Sequence, residues 1–133
     1  MILQGNRSLR EIKSTIWRTW ASAVTFYREK NDLGFSAENI VFFELLRRGY
    51  KVAVGKYQNT EVDFVVEKQG TFTYIQVTAD ITAKDTFDRE MKPLYAIRDN
   101  YEKIVLTLDK LTLGNYDGIR VINVLDWLLG DEA

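Results

Sequence analysis

The sequence predicts an α/β domain, a mixed β-sheet flanked by helices, and three observations lead to that class. Two stretches with helical spacing precede a run of short segments rich in β-branched residues. A third helical stretch separates that run from two further strand-like segments, an order that sets strands beside strands and helices on the faces. A tight-turn signal at Gln69-Gly70 joins two of the segments as a hairpin.

The first helix spans residues 8–29, where Leu9, Ile12, Ile16, Trp20, Ala23, Val24 and Tyr27 form a narrow apolar stripe. Ser8 and Glu11 make a capping-box pattern at its start. A helix packed on the core accounts for this pattern; the sharper reading is a partner-binding helix that exposes Trp17. The chain accordingly divides into an N-terminal amphipathic helix over 1–30 and a domain over 31–133.

A second helix runs from Ala37 to Arg48, with Ser36 as cap, Phe35 and Ile40 as hydrophobic staple, and Gly49 as terminator. "YKVAVG" (50–55) and the two arms of "EVDFVVEKQGTFTYIQVT" (61–78) are strands. Residues 83–98 return to helical spacing through Phe87, Met91, Leu94 and Tyr95, and Pro93 should kink or restart that helix. "KIVLTL" (103–108) is a strand, "GNYDG" (114–118) a turn, "IRVINV" the last strand and "LDWLLG" a short closing helix.

Composition narrows the chemistry. With 133 residues, 46% hydrophobic and 28% charged, the chain suits one ordinary globular domain. It has no cysteine and no histidine, which removes disulfides, thiolate sites, the usual zinc sites and histidine bases. Any metal would need oxygen ligands, which favours Mg2+ or Mn2+. The net charge of -1 argues against tight nucleic-acid binding by the chain alone. Neither GxxxxGK[ST] nor GxGxxG occurs. No apolar run is long enough to cross a bilayer and no secretory leader is visible, so the expectation is a cytoplasmic protein with no membrane partner.

One constellation carries chemistry. If the hairpin turns on Gln69 and Gly70, Asp63 lies opposite Gln76 and Glu61 opposite Thr78, all on one face. Glu38 falls within the apolar arc of Val41, Phe42, Leu45 and Leu46, where burying an acid is costly unless something neutralises it. The helix dipole offsets part of that cost. A metal ion, or a hydrogen bond from Gln76, would supply the rest. Glu44 sits at the edge of the arc and is a weaker candidate.

The phrases "ELLRRGY", "EVDFV", "YIQV" and "LTLD", within roughly residues 26–130, resemble the C-terminal domain of unknown function of bacterial and archaeal AAA-type ATPases. That family is assigned to the PD-(D/E)XK, or restriction-endonuclease-like, fold. The resemblance implies a Glu on the first core helix, an Asp on the second strand and Glu/Gln-x-Lys on the third. Carried over, Glu38 and Asp63 take the first two places as catalytic residues and metal ligands, and Gln76 the Glu/Gln place. Thr78 stands where the lysine should be. Lys56 or Lys84 would have to reach in from a neighbouring element to replace it.

Two functions are consistent with this pattern. The expected one is a catalytically degenerate nuclease-like domain acting as a binding or assembly module, with an ATPase or other protein, or a second copy in a homodimer, as partner. The alternative is an active Mg2+- or Mn2+-dependent nuclease acting on DNA or RNA. The family's ATPase module has no counterpart in this chain, which predicts that the N-terminal helix covers the surface so exposed, burying Ile16 and Trp20.

Overall fold

A computed structural model describes residues 2–3, 37–57 and 60–130. In chain order the elements are β1 (Ile2–Leu3), α1 (Ala37–Arg47), β2 (Lys51–Tyr57), β3 (Thr60–Lys68) and β4 (Thr71–Thr78). These are followed by α2 (Lys84–Ala96), β5 (Glu102–Thr107), β6 (Gly114–Tyr116), β7 (Ile119–Asn123) and α3 (Val124–Leu129). The strands form one seven-stranded sheet in the order β1-β2-β3-β4-β5-β7-β6. It is mixed: β2–β3, β3–β4 and β6–β7 are antiparallel, whereas β1–β2, β4–β5 and β5–β7 are parallel.

Helices cover both faces, as the two-sided burial of the central strands requires. On one face Met91 and Leu94 of α2 pack with Ala53, Val65, Tyr74, Val105 and Val121. On the other, Val41, Phe42 and Leu45 of α1 and Trp127 of α3 pack with Val52, Phe64, Ile75 and Leu106. Each fully buried large side chain of this kind contributes about 1.5–3 kcal/mol relative to exposure. Arg48 ties α1 to α3: its Nη2 donates to the Trp127 carbonyl at 2.6 Å, and its guanidinium lies 4.2 Å from the centre of the Trp127 ring.

The hairpin turns on Gln69 and Gly70, both at positive φ (52° and 82°), the signature of a type I′ turn. The expected register follows, with Phe64↔Ile75, Val65↔Tyr74 and Glu67↔Phe72 in opposition. Helix α1 ends as expected at Gly49: the N–H of Gly49 donates to Leu46 O and that of Tyr50 to Leu45 O, a Schellman arrangement. The capping roles of Phe35 and Ser36, the helix over 8–29 with Ile16, Trp17 and Trp20, and any contact of the Lys56 side chain all lie outside the described residues.

The structure adds to or narrows the sequence reading at three places. "GNYDG" is more than a turn: Gly114–Tyr116 pairs with β7 as an edge strand, and only Asp117 and Gly118, at φ 52° and 90°, form the turn. A three-residue strand is too short to show alternation, but Asp-Gly between paired arms is itself a hairpin signal. The segment Ile2–Leu3 adds a further strand, parallel to β2, that no periodicity announced. Of the two outcomes expected at Pro93, a kink or a restart, the restart does not occur: α2 is continuous from Lys84 to Ala96 with Pro93 buried near its end.

Candidate functional site

At the end of the hairpin remote from its turn, two side chains take over from the backbone ladder. Asp63 N–H donates to Gln76 Oε1 at 2.6 Å, and Asp63 Oδ2 accepts from Val77 N–H at 2.8 Å. The amide of Gln76, only 4% exposed, is oriented by its second bond: Nε2 donates to Glu90 Oε2 at 3.2 Å. Glu90 projects from α2, so the chain Asp63–Gln76–Glu90 fastens that helix to β3 and β4. Arg89 reaches the other oxygen of Glu90 at 3.2 Å from the solvent side.

Burial out of water pushes the Asp63 carboxyl up to about 7, although the Val77 N–H works against the rise. The charges of Glu38, Glu90 and Glu61 raise it further. Carboxylates from α1, β3 and α2 therefore bring their charge to bear on Asp63.

Of the residues singled out from the sequence, Asp63 and Gln76 are in contact. Glu38, half-buried in the first turn of α1, reaches Asp63 through its charge. The hydrogen bond imagined from Gln76 to Glu38 is made to Glu90 instead. Glu44 is occupied elsewhere: bonds from the Arg47 and Arg48 guanidinium groups hold it at about 2, well below the carboxylate range. Glu61 is exposed. The hydroxyl of Thr78, in the lysine's place, donates to the Asp80 carbonyl at 3.4 Å. Lys84 does not replace that lysine, because its ammonium pairs with Asp88 at 2.7 Å in solvent.

Glu90 was missed. Its signal was available, since it lies three residues after Phe87 and four before Leu94, inside the arc that α2 turns to the sheet. An acid there resembles Glu38 in α1, and the same reasoning about neutralisation applies.

A hard divalent cation needs several oxygens converging on one point. Gln76 Oε1 and Asp63 Oδ2 are turned to backbone N–H groups instead. Among the described residues no group of three or more acidic side chains is arranged to hold a metal ion. Two of the oxygens a cation would draw on are thus already engaged by backbone N–H groups.

The rim beyond the site is rigidly bonded. Asp109, after β5, accepts from Ile81 N–H, the Thr107 hydroxyl and both the N–H and hydroxyl of Thr112. Burial pushes its carboxyl up, but those bonds outweigh it and hold the group at about 2. Asn123, 1% exposed, donates to Leu108 O and Asp109 O and caps α3 through bonds from Leu125 N–H and Asp126 N–H. At the opposite end of the sheet, Asp99 accepts from the Tyr74 hydroxyl at 2.6 Å and pairs with Lys103 at 3.1 Å. Sequence reading gave no hint of that network. No helix among the described residues is long and apolar enough to cross a membrane.

Residues 33–127, which include every site residue above, match DUF4143, a domain of unknown function. An uncharacterized protein of Haemophilus influenzae is 47% identical over 92 residues, which are 69% of this chain and 22% of that protein. The chain thus covers about a fifth of the length of that relative. With the family's pattern running from before α1 into α3, the chain belongs to the DUF4143 family.

Proposed function

We propose that this domain is a catalytically degenerate relative of the PD-(D/E)XK nucleases that serves as a binding or assembly module in the cytoplasm. The observation that carries the reading is the double engagement of Gln76. Its oxygen takes the Asp63 N–H and its nitrogen is given to Glu90, so the residue in the Glu/Gln place serves as a clasp. Thr78 supplies no cation beside it, and a hydrolytic site without an electrophilic group is incomplete. The partner on this reading is an ATPase of the AAA type or another protein. Fold likeness alone does not establish chemistry.

The second reading, a Mg2+- or Mn2+-dependent nuclease, is favoured by one observation: the raised Asp63 carboxyl among three other acids would be relieved by a cation. The two readings separate in one experiment. The chain and its Asp63→Ala variant are incubated with DNA and RNA in Mg2+ or Mn2+, and Mn2+ binding is followed by calorimetry. The module reading expects neither cleavage nor heat. Metal-dependent cleavage that disappears in Asp63→Ala would overturn it.

A further inference from the structure

Beside the Tyr74–Asp99–Lys103 network a cavity of about 300 Å3 opens between the end of α2, the loop into β5 and the β6–β7 turn. It shares no residue with the Asp63 site. Its volume lies at the small end of the usual range for ligand sites, about 300–1,000 Å3. The walls are ordered by their own bonds. Asp99 accepts from Tyr101 N–H at 3.0 Å, and the Tyr101 ring stands edge-on to buried Phe72, with 5.4 Å between ring centres. The Asp117-Gly118 turn is held by Gly118 N–H, which donates to Asn115 Oδ1 at 2.9 Å. Tyr95, in the last turn of α2, completes the aromatic lining and is 46% exposed.

The charges around this cavity do not cancel. Among the described residues Lys103 is the basic one that lines it, and its ammonium is fully engaged. It donates to Asp99 Oδ1 at 3.1 Å, Asp99 O at 3.2 Å and Tyr101 O at 3.1 Å. An ammonium has three protons, so none remains for an anionic ligand. The lining acid that enters no such network is Asp117, exposed at the turn. The end of α2 adds to its charge. The last carbonyls of a helix lack intrahelical donors and carry partial negative charge. The last turn of α2 has no basic side chain to set against them. Burial pushes the Tyr95 phenol up, and the charges of Asp117 and Asp88 raise it further, so the acidic field reaches the aromatic wall. Of the neighbouring cations, Lys92 and Arg98 are exposed and do not line the cavity, and Arg120 pairs with Glu102 at 2.6 Å.

We propose that this cavity binds a small organic cation, a primary ammonium or guanidinium on a short apolar stem. Its N–H donors face Asp117 and the carbonyls that end α2. Its stem lies against Tyr95 and Tyr101, whose ring faces favour a cation. A metal ion is the poorer fit, because the Asp99 oxygens already accept from the Tyr74 hydroxyl, Tyr101 N–H and Lys103 Nζ. That leaves one carboxylate, too few oxygens for a hard cation. The inference is independent of what the Asp63 site does.

The test is an NMR titration of the 15N-labelled chain at neutral pH with n-butylammonium, n-butyrate and n-butanol, probes of similar size and different charge. Saturable shifts at the amides of Tyr95, Asn100, Asp117 and Gly118 are expected with butylammonium alone. A Kd on the order of 1 mM suits so small a probe. Asp117→Asn and Tyr95→Ala should each weaken binding about threefold, and the double variant about tenfold. Both positions are exposed, and the dispersion of the remaining amides verifies that the variants fold. Butyrate or butanol shifting the same amides equally well, no saturation with butylammonium, or a double variant that binds as its parent does would overturn the proposal.

Discussion

Gln76 Oε1 accepts the N–H of Asp63 at 2.6 Å, so the amide side chain does what a strand carbonyl would otherwise do. Asp63 returns the bond one residue on, at Val77 N–H. The β3–β4 ladder ends at Phe64↔Ile75, and beyond it the two side chains carry the contact. A carboxyl and an amide used in this way close the hairpin, and Glu90 draws α2 into the closure.

The clasp predicts the effect of Gln76→Glu. The oxygen facing Asp63 N–H is kept, but the donor to Glu90 becomes a second carboxylate in a group already crowded with acids. Losing that buried bond and adding repulsion should cost about 1–3 kcal/mol at pH 8 and less at pH 5, where Asp63, raised to about 7, is uncharged. Urea unfolding at the two pH values checks it. A variant as stable as its parent at pH 8 would show that the Gln76–Glu90 bond holds nothing.

Asp63 itself should destabilise the domain at neutral pH. Its carboxyl titrates near 7 when folded, against an ordinary value of 3.8, mainly because burial disfavours the charge. Between those two values the folded state binds the extra proton, so this group's contribution is fully present below about 4 and is lost as pH rises through about 7. Asp63→Asn keeps an oxygen for Val77 N–H and removes the ionisation. It should leave stability at pH 4 little changed and raise it at pH 8 by about 1–3 kcal/mol, discounted because Asp63 is only partly buried. The pH slope between 4 and 7 should flatten in the variant, and an unchanged slope would put the titrating group elsewhere.

Gly55 makes a separate prediction about the strand next to the hairpin. The register of β2 against β3 shifts between Ala53 and Gly55, a bulge that brings Gly55 close to Val65. A Cβ on Gly55 would lie 2.6 Å from Val65 Cγ2 in the core. Gly55→Ala should therefore cost about 1–3 kcal/mol, as overpacking does. Adding Val65→Ala should make the double variant less unstable than the two single losses summed. Strict additivity in denaturant melts would mean that the contact does not carry the cost.

How far the sequence reveals this arrangement depends on the range of the forces involved. The hairpin and its register were legible because Gln69-Gly70 fixes the turn and alternation fixes the faces, both local effects. The nearness of Asp63 to Gln76 followed from that register, although the backbone pairing stops at Phe64↔Ile75 and the contact is made by side chains. Glu38 was recognisable as an acid in an apolar arc, but its electrostatic partner was not, because the docking of α1 against the sheet is a tertiary event. Glu90 stayed hidden for the same reason: which polar group meets Gln76 depends on how α2 crosses between β4 and β5. Strand β6 was lost because three exposed or half-exposed residues carry no hydrophobic period. Its Asp117-Gly118 turn held the information that its side chains did not.

Asn123 is the strongest test of whether the rim is a built frame. It is 1% exposed and uses both ends of its amide, donating to Leu108 O and Asp109 O and accepting from Leu125 N–H and Asp126 N–H. The accepting half is a helix cap, and the donating half anchors the loop after β5. Asn123→Ala leaves four part-buried backbone groups without this partner and should cost roughly 1–3 kcal/mol. Asn123→Asp separates the halves: the cap survives, while a carboxylate is set against two carbonyl oxygens. That variant should keep α3 but release the 108–113 loop, with faster amide exchange at Leu111 and Thr112 than at Trp127. Equal exchange at both places would show that the loop is held by Asp109 alone.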